Sequence, residues 1–297
     1  MIHRSALCFR VLPLLTLLLL PSLILMGCGG GGAGKGVVSL APNITETIYA
    51  LGEEGQLVGV SDFDDYPPRV RRLPKLGGYI DPNLEQLALI RPALIMVPGQ
   101  HEAVTTFASQ NGMTVLNVHM DSLATIDEGI ATIGTALGVE KAATKLRRQT
   151  TSKLDGIRTA VAEFDRPKVF IVLSREQGDL SNLRTVGGTS FLSELVDAAG
   201  GDNIYGDAKE PYLEASKETL MVKAPDVILE VQAGRNFTQK QATALHSDWR
   251  LMDSLPAWKE GRIYIFSDSH MMRPGPRVTD VARQFAKKLH FTAELPE

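Results

Sequence analysis

Two carboxylates occupy the same point of a phrase that the chain writes twice. Leu84-Glu85-Gln86-Leu87-Ala88-Leu89-Ile90-Arg91-Pro92-Ala93-Leu94-Ile95-Met96-Val97 recurs as Lys217-Glu218-Thr219-Leu220-Met221-Val222-Lys223-Ala224-Pro225-Asp226-Val227-Ile228-Leu229-Glu230. In both copies a short amphipathic helix opens with Glu, stops before a Pro and gives way to a buried strand. The Pro enforces the stop, because it disfavours the αR conformation in the residue before it. A Glu in a first helical turn can simply answer the helix macrodipole, for about 0.3–1 kcal/mol. Repetition half a chain apart predicts more: two similar lobes, each presenting a carboxylate, with a ligand-binding cleft between them.

The other chemistry-bearing residues do not assemble into a catalytic pattern. His101, His119, His246, His270 and His290 are raw material for general acid–base work, yet none has a readable nucleophile or acid partner. No catalytic residue is assigned. No paired His or Cys spacing supports a zinc or manganese site, and Asp62, Asp64 and Asp65 lack the rest of a calcium loop, so no resident metal is expected. Gly187-Gly188-Thr189-Ser190 reads as a turn and helix N-cap in preference to an anion site. No phosphate-loop or nucleophile-elbow pattern is present.

The elements that must position these residues alternate between strand and helix, which means parallel α/β sheets. Strands are predicted at Val37–Leu40, Val58–Ser61, Ala93–Val97, Thr114–Val118, Lys168–Leu173, Val227–Val231 and Ile263–Phe266. Helices are predicted at 42–50, 102–111, from Ser122, at 190–199, 249–255 and 279–290, besides the two Glu-bearing ones. A longer helix runs from Glu140 to Phe164, with Leu146, Leu154, Ile157 and Val161 on its apolar stripe. Its 25 residues would reach about 37 Å, enough to run along two lobes. The expected organisation is an N-terminal lobe at 37–138, an inter-lobe helix at 139–165 and a C-terminal lobe at 166–297.

With 297 residues, 44% of them hydrophobic, the chain is long enough for two domains. A net charge of −3 argues against nucleic-acid binding, which needs a basic footprint. Arg4 and Arg10 followed by the leucine-rich Val11–Met26 form an export signal, expected to occupy 1–27. The apolar run is short, broken by Pro13 and Pro21, and lacks a basic stop-transfer flank, which disfavours a membrane-spanning anchor. Leu25-Met26-Gly27-Cys28 resembles a bacterial lipobox, making Cys28 a lipidation site that holds the protein to the membrane by acyl chains. Residues 28–36 then form a glycine-rich tether.

Several motifs, in shared order, resemble a known family. Val38-Ser39-Leu40-Ala41-Pro42-Asn43-Ile44-Thr45-Glu46, Asp65-Tyr66-Pro67-Pro68, Asn83-Leu84-Glu85 and Arg91-Pro92-Ala93-Leu94-Ile95 are similar to the N-lobe of the class III, helical-backbone substrate-binding proteins of ABC importers. Ala199-Gly200-Gly201-Asp202-Asn203-Ile204 and Gly275-Pro276-Arg277 are similar to its C-lobe. The resemblance covers Val37 to about His290 and is nearest to the vitamin B12-binding branch. It implies two α/β lobes joined by one long helix, and a ligand held at the C-terminal ends of the strands. It implies a receptor with no cofactor of its own, working as a monomer in the cell envelope, in the periplasm or on the outer face of the cytoplasmic membrane. The partners implied are an ABC permease and its ATPase.

The resemblance also assigns roles. Glu85 and Glu218 correspond to the glutamates that dock on permease arginines. Phe63, Tyr79 and Tyr212 are placed like aromatics set against a corrin ring. His101, His270 and Arg273, in loops after strands, are candidates for contact with a metal centre or a polar ligand edge. The implied ligand is a cobalt corrinoid. The rival is haem, with Tyr79 and His270 as axial ligands, or a ferric siderophore, for which Arg175, Arg184, Arg235 and Arg273 are the available arginines. Tryptophan is absent from the aromatic positions, and Trp249 and Trp258 read as packing residues. A lipoprotein enzyme or a sensor on the same fold are more distant alternatives.

Overall fold

The computed structural model describes residues 34–296. The export signal, Cys28 and most of the glycine tether lie outside those residues.

Four short, apolar stretches build the first sheet: β1 (Val37–Ser39), β2 (Leu57–Val60), β3 (Leu94–Pro98) and β4 (Thr114–Val118). They pair in the order β2-β1-β3-β4, all parallel. Parallel neighbours need crossovers, supplied by α1 (Pro42–Ala50), α2 (Leu84–Ile90) and α3 (Glu102–Gln110). Then come α4 (Leu123–Ala136), whose Ser122 and Thr125 form a capping box, and the long α5 (Glu140–Val161).

The second lobe starts with β5 (Lys168–Val172), β6 (Leu183–Val186), α6 (Phe191–Ala198), β7 (Asp202–Asn203), β8 (Tyr212–Ala215) and α7 (Lys217–Lys223). It ends with β9 (Val227–Val231), α8 (Gln239–Asp248), α9 (Pro256–Lys259), β10 (Ile263–Phe266) and α10 (Val278–Leu289). Its main sheet is also parallel, in the order β10-β9-β5-β7. The fold is α/β: two similar lobes, each a parallel sheet flanked by helices, joined by one long helix.

The repeated phrase folds the same way twice. Asn83 Oδ1 accepts from Gln86 N at 3.0 Å, and Ser216 Oγ accepts from Thr219 N at 3.1 Å, so each seven-residue helix has a side-chain cap. Both end on a non-glycine residue in the left-handed region, Arg91 (φ 48°) and Ala224 (φ 44°), directly before the Pro. There the backbone N–H of Arg91 bonds Leu87 O and that of Ala224 bonds Leu220 O, closing the helix as an αL cap. Each helix then feeds a central strand, β3 or β9.

Three features differ from the sequence expectation. Tyr212 sits on a strand, not in a loop: β8 pairs antiparallel with β6, Val186 against Tyr212. Those partners are separated by the whole of α6 and β7, so no local turn signal marks the hairpin. The helix expected at 249–255 is a 3₁₀ turn at Trp249–Met252, and the α-helix precedes it as α8. Only Leu245 of α8 is buried, so hydrophobic periodicity was faint, although Thr238 and Gln241 form a capping box. α5 stops at Val161, and Phe164 beyond it packs on His290 with ring centroids 5.1 Å apart.

At 1.5 Å per residue the 22 residues of α5 span about 33 Å. The helix packs on α4 along one side and on α6 and α10 along the other. Its buried Leu154, Ile157 and Val161 belong to one hydrophobic cluster that also takes in Ile44, Ile126, Ile130, Phe191, Leu195 and Phe285, so a single core runs through both lobes. A Cβ on Gly134 of α4 would come within 2.3 Å of the Ala143 Cβ on α5. Gly134→Val should therefore push the two helices apart and cost about 1–3 kcal/mol. Chemical denaturation of purified variants checks this; an unchanged midpoint would mean that the helices do not meet as described.

Candidate functional site

A cavity of about 530 Å³ lies where loops of the two lobes meet. Pro42 and Asn43 follow β1, and Asp62, Phe63 and Asp65 follow β2; opposite them Ala233 and Gly234 follow β9, and Ser269, Met272, Arg273 and Pro274 follow β10. Every wall thus comes from beyond the C-terminal end of a parallel strand, where ligands bind in open α/β sheets. A cavity of about 750 Å³ lies at the opposite end of the second lobe, among Pro167, Asp226 and Arg262, which precede β5, β9 and β10. The same rule disfavours it. Another of about 780 Å³ is a groove on the first lobe alone, with Tyr79, Ile80, His101 and Phe107.

Beside the inter-lobe cavity an ionic cluster ties the lobes together. Glu46 on α1 is buried, at 4% exposure, and would be a costly isolated charge. It accepts from Arg273 Nη1 at 3.0 Å and from Arg277 through Nε at 2.8 Å and Nη2, so its charge is balanced entirely from the other lobe. Arg273 also donates to Asp65 through Nη1 and to the Phe63 carbonyl through Nη2 at 3.0 Å. Arg277 lies over the Tyr66 ring, its guanidinium carbon 4.0 Å from the centroid. Burial pushes the Asp65 carboxyl up, but the hydrogen bond and charge of Arg273 outweigh it and hold the group below its ordinary value. Asn43 adds a neutral tie, Nδ2 donating to the Pro274 carbonyl at 3.2 Å. Farther along, Leu123 N donates to Glu194 of the second lobe at 2.6 Å, and Phe191 N to the Asp121 carbonyl at 3.0 Å.

The expected ligand contacts divide among several places. Phe63 lines the inter-lobe cavity and is 66% exposed. Tyr79 and His101 lie in the first-lobe groove, edge to face at 5.2 Å. His101 caps α3: Nδ1 accepts from Val104 N at 3.3 Å and Nε2 donates to the Tyr79 carbonyl at 2.7 Å. Both ring nitrogens are engaged, and the Tyr79 hydroxyl donates to the Gln100 carbonyl. Tyr212 stands at the lobe boundary; burial and the negative Asp121 of the first lobe raise its phenol above the ordinary value. His270 turns away toward α10, where its Nε2 accepts from Gln284 at 3.0 Å, and burial lowers its proton affinity. Arg273 lines the cavity with Nη1 committed to Glu46 and Asp65 and Nη2 to the Phe63 carbonyl. Glu85 and Glu218 are exposed in the first turns of α2 and α7.

Sequence reasoning did not single out Glu46, Asp65 or Arg277 as a lobe clamp. All three stood inside the family-like motifs, which was the available signal. Of the arginines considered for an anionic ligand, Arg175 is sealed in the second lobe, 0% exposed like its partner Glu230. Its Nη1 meets Asp248 at 2.8 Å, and Trp249 Nε1 and Gln232 Nε2 each donate to Glu230 at 2.8 Å. Arg184 pairs with Glu214 on the exposed hairpin. Among the described residues no cluster of three or more His, Cys, Asp or Glu could hold a metal ion. No described helix is long and apolar enough to cross a membrane.

Removing one member of the clamp should loosen both lobes. Glu46→Gln leaves two part-buried guanidinium groups short of charge and should cost about 3–5 kcal/mol in denaturant unfolding. Asp65 is more exposed, so Asp65→Asn should cost only about 1 kcal/mol at neutral pH. Since folding depresses the Asp65 pKa, its contribution is complete above the unfolded value of 3.8 and is lost as the pH falls through the folded value. The melting temperatures of wild type and Asp65→Asn should therefore draw together as the pH falls below 3.8; a gap that stays as wide in acid as at neutral pH contradicts the ion pair.

The chain matches the family model described as Periplasmic binding protein over residues 37–269. A vitamin B12-binding protein of Vibrio cholerae is 28% identical over 251 residues, covering 84% of this chain and 86% of its own. The crystal structure of the periplasmic vitamin B12-binding protein of Vibrio cholerae superposes with a TM-score of 0.72 at 26% identity, over 87% of this chain and 98% of that one. A periplasmic haem-binding protein of Pseudomonas aeruginosa shares the fold, with a TM-score of 0.75 at 22% identity over 89% and 95% of the two chains. On its sequence, its two sheets and its joining helix, this chain belongs to the periplasmic binding protein family.

Proposed function

We propose that this protein is the substrate-binding receptor of an ABC importer and that it captures cobalamin or a related corrinoid. The observation that carries the reading is the inter-lobe cavity, walled by strand-end loops of both lobes, in a chain similar over nearly its whole described length to a vitamin B12-binding protein. Phe63 offers an aromatic face to a broad ring at low entropic cost. Arg273 lines the same cavity, its position fixed by hydrogen bonds; Tyr79, His101, Tyr212 and His270 lie outside that lining, and as proposed contacts they would meet the ligand only where it extends beyond the cavity. The lobes are proposed to comprise 37–138 and 166–297 about the helix at 139–165.

The state of the arginines favours a corrinoid over its rivals. Arg175, Arg184 and Arg273 all have carboxylate partners, so of the four arginines expected to serve a carboxylate-rich ferric siderophore or haem propionates only the exposed Arg235, next to the cavity-lining Gly234, keeps its charge free. An amide-rimmed corrinoid needs hydrogen bonds and apolar area instead. The axial pair expected for haem, Tyr79 with His270, does not share a cavity. No histidine lines the inter-lobe cavity. In this reading the ligand leaves unchanged, the protein acts as a monomer anchored in the cell envelope through a lipidated Cys28, in the periplasm or on the outer face of the cytoplasmic membrane, and Glu85 and Glu218 present the complex to the permease, whose ATPase drives transport.

Isothermal calorimetry with cyanocobalamin, haemin and a ferric siderophore separates the ligands. One-to-one binding of cyanocobalamin is expected, and Phe63→Ala should weaken it about five- to thirtyfold, the effect of 1–2 kcal/mol. Binding of haemin or the siderophore without cyanocobalamin would overturn the ligand assignment.

A further inference from the structure

The two Glu-bearing helices share an exposed feature besides the carboxylate. Leu87 and Leu220 occupy equivalent positions and are fully buried, each anchoring its helix to its own sheet. At 100° per residue, the positions two before and two after that anchor point outward, on the side away from the sheet. The position before holds Glu85 or Glu218. The position after holds Leu89 or Val222, 76% and 85% exposed. Glutamate and apolar residue are thus four apart on one outward face, and the pairing is the same in both lobes. Met221, next to Val222, is also 47% exposed.

A single exposed leucine needs no explanation. Two bulky apolar side chains at matched positions, each beside a carboxylate on a doubly capped helix, form a repeated surface. Each helix descends to the N-terminal edge of the strand it feeds, so its Glu-bearing first turn lies toward the other edge, where the cavity loops are. Leu84 at the start of α2 shares a groove with Gln100 and His101, beyond the end of β3, and Lys217 at the start of α7 donates through Nζ to the Asp179 carbonyl, in the segment that follows β5.

We infer that Leu89 and Val222 are the apolar half of the permease contact that Glu85 and Glu218 begin. The inference rests on the receptor reading above. The partner that fits is a membrane protein presenting two equivalent sockets, each with a basic residue bordered by apolar side chains, as two copies of one subunit provide. Shielding from water by the apolar neighbour strengthens the charged hydrogen bond. Neither element suffices alone: an exposed ion pair contributes little, and one leucine gives no orientation.

The test uses the full-length protein in its producing cells, with a photo-crosslinking amino acid placed at Leu89 or at Val222. The same polytopic subunit of an ABC importer should be captured from both positions. That importer, purified into nanodiscs, then binds the ligand-loaded receptor and three variants. Leu89→Ser with Val222→Ser should weaken binding about tenfold or more, as should Glu85→Gln with Glu218→Gln, while both leave cyanocobalamin binding unchanged. Ala108→Gly on α3, away from the surface, should have no effect on the complex. Weakening by the glutamate variants but not by the serine variants would overturn the inference and leave the docking reading standing. Weakening by neither, or capture of unrelated proteins from the two positions, would overturn both.

Discussion

Glu46 has almost no contact with water, and the charges that balance it belong to the other half of the molecule. A buried carboxylate that loses its cations is left with a desolvation cost and no compensation, so separating the lobes is penalised at that point above all. The hydrophobic core acts in the same sense. Because α5 shares its buried face with α4 on one side and α6 and α10 on the other, the lobes cannot rotate apart without exposing apolar surface. The inter-lobe cavity is therefore largely preformed, and a ligand entering it need not supply the free energy of a large closure.

The clamp also shapes the chemistry of the cavity. Arg273 lines it, yet faces it as part of a neutralised group, with Glu46 and Asp65 absorbing its charge. In the second lobe Arg175 is spent on Glu230 and Asp248, where it fixes the segments after β5 and β9. The same charges that make the framework stiff neutralise the arginine that lines the cavity. Rigidity and the neutralised state of the arginine in the cavity thus have one origin.

Much of this was legible in the sequence because it is local. Strand runs, helix periodicity, the capped and Pro-stopped repeats at Glu85 and Glu218 and the long helix each have a signature within a few turns of chain. The β6–β8 hairpin escaped because its strands meet across an intervening helix and strand, and α8 because its one buried residue gives no periodic stripe. His101 was readable as a loop histidine; its capping of α3 was not, since His is an uncommon N-cap. The clamp was hidden for a different reason. Arg273 and Glu46 are 227 residues apart, and nothing local distinguishes an arginine that will meet a buried carboxylate from one that will meet a ligand. The motifs marked the segment as important without stating what it touches.

The clamp and the shared core together demand a separation between lobes that the ligand barely changes. Nitroxide labels at the exposed Gln110 on α3 and Lys240 on α8 report that separation directly by pulsed electron–electron resonance. A narrow distribution whose mean moves by less than about 2 Å on saturation with cyanocobalamin is the predicted result. A broad distribution in the free protein that collapses to a much shorter distance on binding would show a hinge, and would contradict it.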